Sequence, residues 1–364
     1  MNRAIPSSAC VAALWLGALV APACAGASTV GGAVDDPAAG EEGGASNADA
    51  QSTTEGGVPV GSDGGPVASG PDTISIIVEP SDKAGALLAA IQGATTSVHM
   101  TMYLLDDTRF IDALIARHAA GRDVKVILNA SFPQGAGTNQ KAFNTLKAAG
   151  VAVVWAPTTF TLTHEKTVLV DGASAWIMTM NLATTSSQNR EFLALDTDAV
   201  DVKEAEAIFA ADFANTAIVP TGNLLVAPFN ARERLVQLIQ SAKTSIDVEG
   251  EELSDYKIVA ALAAAAKVGA NVRVVISDNP PSAAQGTAVA QLKAAGVHLV
   301  SVGRPYIHAK ALVADGAQAY VGSENFTAAS LQHNRELGLI TTNAASVTKV
   351  AKVIAQDFVG GTPL

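Results

Sequence analysis

Residues 146–151 read LKAAGV, and residues 292–297 repeat the same six residues without a change. Three further pairs of segments lie at nearly the same separation: 96–98 with 244–246, 123–128 with 271–276, and 189–191 with 334–336. The separation stays between 145 and 148 residues. Self-similarity at a fixed spacing is the signature of repeated structural units. The sequence therefore predicts two related copies, repeat 1 over residues 71–216 and repeat 2 over residues 217–364.

Within each copy, short β-branched segments alternate with alanine-rich segments of helical periodicity. Strands are predicted at 74–78, 98–104, 124–128 and 272–277. Two helices are predicted at 110–120 and 258–268, and each stops at a glycine, Gly121 or Gly269. This order predicts an α/β fold with right-handed crossovers and a largely parallel sheet in each copy. We expect the two repeats to pack about a pseudo-two-fold axis, with a shared site in the cleft between them.

The first 70 residues are predicted to lie outside this fold. Residues 1–26 have the features of a secretory signal peptide, with Arg3 before an apolar run and small residues near the end. Cys24 stands where a lipoprotein signal carries its lipidated cysteine, so plain cleavage and a membrane anchor at Cys24 both stay open. Residues 27–70 are rich in Gly, Ala, Ser and Asp and predict a disordered linker. We therefore expect a secreted or periplasmic protein.

Charge and cysteine content argue against a broad basic surface and against disulfide bonds. The chain of 364 residues has a net charge of −11. From Pro71 onward it carries 27 acidic and 22 basic residues, whereas binding to a nucleic-acid backbone relies on clustered Lys and Arg. Cys10 and Cys24 are the two cysteines, and both lie in the predicted signal. The sequence therefore predicts neither a broad basic surface nor a disulfide framework.

One pattern, His-x-Lys-x4-Asp, occurs at the equivalent place in both copies. Its members are His164, Lys166 and Asp171 in repeat 1, and His308, Lys310 and Asp315 in repeat 2. Both motifs open an extended segment, at 166–170 and at 310–313. Because side chains alternate along a strand, the His and Lys two residues apart share a face. The pattern thus directs a nucleophile or acid and a fixed cation at one spot.

Each copy then adds an amide and a carboxylate, Asn181 and Glu191 in repeat 1 and Asn325 and Glu336 in repeat 2. These residue types suit phosphoryl transfer. Two Lys and two Asn can hold the non-bridging oxygens and stabilise the negative charge of the transition state. One imidazole can attack phosphorus while the other protonates the leaving oxygen. A carboxylate beside each imidazole can fix its tautomer.

Together these residues make the chain similar to two-motif members of the phospholipase D superfamily, whose signature is His-x-Lys-x4-Asp followed by Gly-Ser-x-Asn. Repeat 2 matches the second part with Gly322 and Ser323. Repeat 1 has Met178 and Thr179 at these positions. Thr179 keeps the hydroxyl, whereas Met178 is expected to tighten the turn. The similarity covers residues 74–358, essentially the whole predicted fold.

The resemblance implies a role for each shared residue. His164 would be the nucleophile that forms a phosphohistidine, and His308 the general acid and then the base that activates water. Phosphate oxygens would be bound by Lys166, Lys310, Asn181 and Asn325. The histidines would be oriented by Glu191 and Glu336. The residues with a structural role in the motifs would be Asp171, Asp315, Thr179 and Ser323. The resemblance implies no cofactor and no metal.

Other residues are interpreted as ordinary. Zinc binding by the two histidines is disfavoured, because each shares its strand face with a Lys. Arg190 and Arg335 recur as a pair and are expected to be salt-bridge partners at strand ends. The acidic residues at 249–252 are expected to be solvated loop charges. Residues 160–162, just before the first motif, form either an apolar lip for an acyl-glycerol or the end of a buried strand.

The sequence therefore predicts a phosphodiesterase that hydrolyses phospholipids to phosphatidic acid and a free head group. Export and the acidic charge favour phospholipid at a membrane surface as the substrate, with nucleic acid the less favoured partner and no obligate protein partner evident. A secreted nuclease of the same superfamily and a phosphatidyltransferase stay open. A binding module that has lost catalysis also stays open, although intact motifs in both copies argue against it.

Overall fold

The computed structural model describes residues 73–81, 83–132, 138–279 and 281–364. The predicted signal peptide, the predicted linker and Cys24 lie outside these residues. Repeat 1 contains β1 (Ile74–Glu79), α1 (Gly85–Gly93), β2 (Ser97–Met102), α2 (Thr108–Ala119), β3 (Asp123–Leu128), α3 (Gln140–Ala148), β4 (Ala152–Trp155), β5 (Lys166–Val170), β6 (Ser174–Met178), a 3-10 helix (Thr184–Gln188), β7 (Glu191–Asp196) and α4 (Ala199–Phe213). Repeat 2 contains β8 (Leu225–Ala227), α5 (Ala231–Ser241), β9 (Ser245–Gly250), α6 (Tyr256–Lys267), β10 (Asn271–Ser277), α7 (Ala283–Ala294), β11 (His298–Val302), β12 (Lys310–Ala314), β13 (Gln318–Gly322), α8 (Ala328–His333), β14 (Glu336–Thr341), α9 (Ala344–Gly360) and β15 (Thr362–Pro363).

The predicted strands and helices form, with ends that shift by one or two residues. Helix α2 begins earlier than predicted because Asp107 caps it, accepting a hydrogen bond from the backbone N–H of Arg109. Gly121 and Gly269 follow α2 and α6 with φ of 79° and 101°, the left-handed conformation that a glycine adopts most readily after a helix. The predicted boundary at 216/217 stays a prediction, and it falls between α4 and β8.

Each repeat contributes one sheet, and both sheets are mixed. The strand orders are β1-β7-β6-β5-β2-β3-β4 and β15-β11-β10-β9-β12-β13-β14-β8. Only the neighbours among β2, β3 and β4, and among β9, β10 and β11, run parallel. The other pairs are antiparallel. The α/β class is confirmed, but the expectation of a largely parallel sheet is wrong.

Two tight hairpins explain the antiparallel half of each sheet. Asp171 and Gly172 join β5 to β6 with φ of 58° and 61°. Asp315 and Gly316 join β12 to β13 with φ of 53° and 62°. Two successive residues at positive φ form a tight turn that reverses the chain direction. The two strands that such a turn joins must therefore pair antiparallel. An Asp-Gly pair is the usual sequence signal for such a turn, so this feature was readable from the sequence.

Three apolar clusters form the interior. One lies between the outer face of the first sheet and α1–α3, and a second lies between the second sheet and α5–α7. The third contains residues of both sheets together with α4 and α9. This shared cluster joins the two repeats, because neither could bury its inner face alone. The strand ends that carry the two motifs therefore meet across the junction of the repeats.

Candidate active site

The two lysines of the motifs are buried at the start of their strands. Lys166 and Lys310 open β5 and β12, and both are 0% exposed. Each ammonium turns back onto its own motif: Lys310 Nζ donates to the carbonyl oxygen of His308 over 2.6 Å, and Lys166 Nζ donates to that of His164. The predicted pairing of His and Lys in each motif is therefore close in space.

The two histidines are held by carboxylates from the opposite repeat. His164 Nδ1 lies 2.9 Å from Glu336 Oε2, and His308 Nδ1 lies 2.8 Å from Glu191 Oε1. A carboxylate oxygen accepts a hydrogen bond, so Nδ1 carries the hydrogen in each case and Nε2 is directed away from it. The sequence indicated a carboxylate for each histidine; the structure adds that the pairs cross between the repeats.

The carboxylates are themselves fixed by neighbouring side chains. Glu336 accepts from the Ser330 hydroxyl at 2.6 Å. Glu191 accepts from the Thr179 hydroxyl at 2.5 Å, which gives the hydroxyl shared by Thr179 and Ser323 a role in repeat 1. Both hydroxyls also accept from a backbone N–H, Thr179 from that of Phe192 at 2.9 Å and Ser323 from that of Leu337 at 3.1 Å. Both carboxylates are fully buried, so these bonds limit the rotation of the Glu–His pairs.

Backbone hydrogen bonds and ion pairs between the repeats hold these Glu–His pairs in place. The N–H of His164 donates to the carbonyl of Arg335 at 2.9 Å, and the N–H of His308 donates to that of Arg190 at 3.3 Å. The Arg335 guanidinium pairs with Asp212 at 2.8 Å, and that of Arg190 pairs with Asp357 at 2.6 Å. Each pair again joins one repeat to the other. The expectation that these arginines are salt-bridge partners agrees with the structure.

The two asparagines have an atom free for a ligand. Asn181 Oδ1 and Asn325 Oδ1 are buried and have no hydrogen-bond partner among the described residues. A buried polar atom normally has a partner, and its absence at a site is a reason to look for a ligand. Whichever end of the amide occupies that place, the protein leaves it uncommitted.

The motif aspartates lie at the opposite ends of their strands and brace them. Asp171 accepts from the backbone N–H groups of Thr95, Thr96 and Ser97 at 2.7–3.0 Å. Asp315 makes the same contacts with residues 243–245. Partial burial would raise the pKa of each carboxyl, but these hydrogen bonds hold it well below its ordinary value. Their position fits the structural part that the resemblance implies.

Burial changes the charge state of the first motif. Burial lowers the pKa of His164 to about 4, although the Glu336 carboxylate opposes this. Burial also lowers the pKa of Lys166 to about 7, again against the attraction of Glu336. For Glu336, burial raises the pKa, but His164 and Lys166 outweigh it and the carboxyl stays acidic. His164 is therefore neutral near pH 7, with the lone pair of Nε2 available for attack.

Sequence reasoning missed two residues of the site, Glu251 and Tyr103. Glu251, expected to be a solvated loop charge, accepts from Lys310 Nζ at 2.7 Å and lies 3.5 Å from His308 Nε2. Glu249 is likewise buried rather than solvated. That part of the prediction for residues 249–252 is wrong, because β9 is buried along its length from residue 246 and delivers Glu249 and the following Glu251 to the interior. Tyr103 takes the position after β2 that Glu251 takes after β9, and its ring lies against His164 with ring centroids 4.5 Å apart.

The departure of Met178 from the signature is a packing difference and not a tighter turn. Met178 ends β6 and faces Leu193, whereas Gly322 ends β13 and faces Gly338. The two glycines leave room for the buried Glu324 carboxyl, which accepts from the Tyr320 hydroxyl at 2.7 Å. In repeat 1 the side chains of Met178 and Leu193 take the corresponding positions. The end of β6 therefore pairs with β7 as the end of β13 pairs with β14.

Residues 160–162 are not the end of a buried strand. They lie in the loop that leads to the first motif, and the Phe160 ring packs on the Arg335 guanidinium at 4.3 Å. Among the described residues, no group of three or more His, Cys, Asp or Glu side chains is placed to hold a metal ion. No helix of the described ranges is long and apolar enough to cross a membrane.

Comparison with known proteins identifies the family. Residues 87–213 and 235–358 match the family described as cardiolipin synthase, PLD-like domain. The chain belongs to the phospholipase D superfamily. The resemblance predicted from the two motifs is thereby confirmed, and each matched segment lies within one predicted repeat. The catalytic roles of the individual residues stay predictions.

Two relatives of this chain carry cardiolipin in their names. Cardiolipin synthase of Listeria monocytogenes serotype 4a (strain HCC23) is 23% identical over 338 residues, covering 78% of this chain and 68% of that protein. Mitochondrial cardiolipin hydrolase of Xenopus tropicalis is 34% identical over 132 residues, covering 35% of this chain and 60% of that protein. One name describes a synthase and the other a hydrolase, so the family admits both kinds of reaction.

Solved structures share the fold. Phosphatidylserine synthase of Haemophilus influenzae Rd KW20 superposes with a TM-score of 0.62 at 11% identity, covering 82% of this chain and 89% of that one. Polyphosphate kinase of Porphyromonas gingivalis gives a TM-score of 0.62 at 16% identity, and this chain covers 46% of its length. At these identities the likeness concerns the fold alone.

Proposed function

We propose that this protein is a phosphodiesterase that cleaves phospholipids to phosphatidic acid and a free head group through a covalent phosphohistidine. The observation that carries the proposal is the crossed pair of histidines, each held at Nδ1 by a buried carboxylate of the other repeat. This arrangement leaves two Nε2 atoms for chemistry, with a buried lysine beside each histidine. One site with two imidazoles can supply both the nucleophile and the acid that a two-step displacement requires.

In the first step, the lone pair of His164 Nε2 attacks phosphorus and forms the N–P bond. The bond from phosphorus to the head-group oxygen breaks, and His308 gives its Nε2 proton to that oxygen. In the second step, His308 takes a proton from water, and the water oxygen attacks phosphorus. The N–P bond breaks, the electron pair returns to His164, and phosphatidic acid leaves. Both histidines end in their starting states.

The lysines and asparagines stabilise the charge that develops on the phosphate oxygens. Lys166 and Lys310 approach the histidines from the two repeats, and donors placed before the reaction starts cost little reorganisation. The pKa of Lys166 near 7 makes its charge sensitive to a bound anion, because a phosphodiester favours the ammonium form. Asn181 and Asn325 can add two donors when each side-chain amide is turned so that its Nδ2 group takes the place of the unbonded Oδ1.

Phospholipid is preferred over nucleic acid for two reasons. The predicted fold carries more acidic than basic residues, so its net charge does not favour binding of a polyanion. An apolar cavity of about 270 Å³ also adjoins Arg335, with Phe160, Ile218, Val219 and Phe229 in its lining. We propose this cavity for an acyl chain of the lipid, because Arg335, which lines it, accepts a backbone hydrogen bond from His164.

A phosphatidyltransferase is the second candidate, and the name of the Listeria relative favours it. Water and alcohols compete for the same phosphatidyl-histidine, so hydrolysis and transfer differ only in which acceptor arrives. A nuclease of the same superfamily and a non-catalytic binding module are the outcomes that the experiment below distinguishes.

The test is an assay of the purified protein on mixed phospholipid vesicles and on single- and double-stranded DNA, with and without ethanol. We expect phosphatidic acid from the vesicles, and phosphatidylethanol beside it when ethanol is present. Phe229→Asp should lower turnover of vesicles relative to a short-chain lipid, whereas Val268→Asp, an exposed apolar residue of another surface, should not. Cleavage of DNA without lipid products would replace this proposal by the nuclease.

We also propose that the protein is exported, on the basis of residues 1–26 and the following linker. Fractionation of expressing bacterial cells and mass spectrometry of the mature amino terminus test this. Cleavage near residue 26 supports a secreted or periplasmic protein, and a diacylglyceryl group on Cys24 would support a membrane anchor. Retention of the full amino terminus in the cytoplasm would overturn it.

A further inference from the structure

Tyr103 and Glu251 occupy the same position in the two repeats. Each directly follows the strand beside the motif strand, β2 or β9. The Tyr103 N–H donates to the carbonyl of Glu165 at 3.1 Å, and the Glu251 N–H donates to that of Ala309 at 3.0 Å. Glu165 and Ala309 are the middle residues of the two motifs. The structure therefore brings each of these side chains against the His and Lys of its own repeat.

Their side chains differ in charge, and so do their contacts. The Tyr103 ring meets the His164 ring edge-on and lies 4.9 Å from Lys166 Nζ. The Glu251 carboxylate instead accepts from Lys310 Nζ at 2.7 Å and from the Tyr306 hydroxyl at 2.8 Å. It also lies 3.5 Å from His308 Nε2. The site is therefore asymmetric although the motifs are duplicated.

This asymmetry places His308 between two carboxylates and His164 beside only one. His308 has Glu191 at Nδ1 and Glu251 near Nε2, with Lys310 as the neighbouring cation. An imidazole that faces an anion at each nitrogen is best satisfied when both nitrogens carry hydrogen. Among the described residues, His164 has Glu336 at Nδ1 and no acceptor at Nε2.

We propose that Glu251 and Tyr103 are positioning residues that divide the roles of the two histidines, Glu251 holding His308 as the proton donor and Tyr103 leaving His164 as the nucleophile. This inference rests on the proposed phosphodiesterase function and deepens it. Glu251 acts through His308 and does not contact phosphorus. At 3.5 Å it lies at ion-pair and not hydrogen-bond distance from Nε2, so the proton stays available to the leaving oxygen.

Glu251 is suited to this part because its charge is secured in the site. Burial raises its pKa, but His308 and Lys310 outweigh burial and hold it well below the ordinary value. The contact with Lys310 also reduces the repulsion that a free carboxylate would exert on a phosphodiester. Tyr103 occupies the matched place without an anion, and its hydroxyl stays protonated because burial raises its pKa to about 12.

The first test compares two leaving groups on one phosphatidyl part, in the full-length protein. Short-chain phosphatidylcholine needs a proton for its leaving alcohol, whereas short-chain phosphatidyl-p-nitrophenol does not. Glu251→Gln keeps the shape and removes the charge. We expect it to lower kcat/KM for phosphatidylcholine by about 10- to 100-fold, within the range of general-acid effects, and to lower that for the p-nitrophenyl lipid about 3-fold or less.

Glu252→Gln is the matched control, since Glu252 is an exposed carboxylate that acts on His308 and Lys310 only through longer-range charge, with no hydrogen bond or ion pair to either among the described residues. It should leave the ratio of the two substrates unchanged. A Glu251→Gln protein that loses both activities equally has suffered a general defect, and the division of roles would be overturned. If the wild-type protein turns over neither lipid, the proposed function fails first and separately.

The second test exchanges the two residues. Tyr103→Glu combined with Glu251→Tyr should move the trapped phosphate from His164 to His308 after rapid quenching with the p-nitrophenyl lipid. Phosphate that remains on His164 in a folded, active exchange variant would overturn the proposal. If the exchange variant does not fold, the leaving-group ratio of Glu251→Gln decides alone.

Discussion

At the scale of single residues, burial determines how the site reacts to pH. The nucleophile must be unprotonated, and burial lowers the pKa of His164 to about 4. The cation beside it must be protonated, and burial lowers the pKa of Lys166 to about 7. The two requirements overlap only between these values. We therefore expect kcat/KM for a soluble diester to rise through about pH 4 and fall above about pH 7.

Lys166→Arg tests the source of the alkaline limb. An arginine keeps its charge throughout this range, so the fall above about pH 7 should move to higher pH while the acid limb stays in place. The maximal rate will fall too, since the planar guanidinium does not reproduce the geometry of an ammonium. A pH–rate profile settles the matter, and an unchanged alkaline limb in an active variant would assign it to another group.

Removing either histidine should abolish most activity. We expect His164→Ala and His308→Ala each to lower kcat by about 10³-fold or more, and the double variant to be little worse, because residues that act as a unit are not additive. Circular dichroism should show that each variant folds. Substantial turnover of phosphatidylcholine by either single variant would contradict the two-histidine assignment.

Charge neutralisation by lysines also predicts how the enzyme responds to chelators. Turnover of a soluble short-chain diester should persist in excess EDTA, because Lys166 and Lys310 supply the positive charge that an ion supplies elsewhere. A soluble substrate separates this effect from any influence of calcium on vesicles. Complete loss of turnover that returns with added metal would show that the metal-free expectation is wrong.

The sequence predicts those residues of the active site that recur in both repeats, and not the others. His164, Glu336 and their counterparts recur at matched spacing, so their types and number could be derived. Glu251 could not, because its partner by repeat is Tyr103, and a comparison of the halves finds no match there. The crossing of the carboxylates also depends on how the repeats pack, which no local pattern contains.

At the scale of elements, the two hairpins and the strand ends decide what the signature means. The Gly of the second motif is required by the space around it and not by its φ. A Cβ at Gly322 would lie 2.6 Å from both Gly338 Cα and the Tyr320 hydroxyl. Sequence reasoning attributed this position to turn geometry, because the buried Glu324–Tyr320 pair that needs the room is visible only after folding.

Gly322→Ala should therefore destabilise the fold. Because overpacking a strand end forces neighbouring atoms apart, we expect a loss of about 1–3 kcal/mol in the free energy of unfolding. Gly286→Ala is the control: Gly286 lies within α7, and its added Cβ would meet nothing within 4 Å, so it should gain about 0.5–1 kcal/mol. Urea denaturation measures both, and a neutral Gly322→Ala would contradict the packing account.

At the scale of the whole molecule, the repeats depend on each other for more than the site. The shared apolar cluster draws residues from both sheets. Two ion pairs also cross between the repeats: Arg335 with Asp212, which is buried, and Arg190 with Asp357, which is partly buried. The duplication was readable from the sequence, but this interdependence was not. Two copies joined in this way should behave as one cooperative unit although the chain is long enough for two domains.

Two optical probes can test this cooperativity. In a chain that begins at residue 71, both tryptophans, Trp155 and Trp176, lie in repeat 1, so fluorescence reports on that repeat alone. Far-UV circular dichroism reports on both repeats. If neither repeat is stable without the shared cluster, the two urea transitions should coincide. Asp357→Asn weakens a charged hydrogen bond between the repeats by changing repeat 2, while Arg190 keeps Glu249 at 4.0 Å. It should move both transitions to lower urea together, by about 1–3 kcal/mol in free energy. A fluorescence transition that stays in place while the circular dichroism transition splits would show that repeat 1 folds independently.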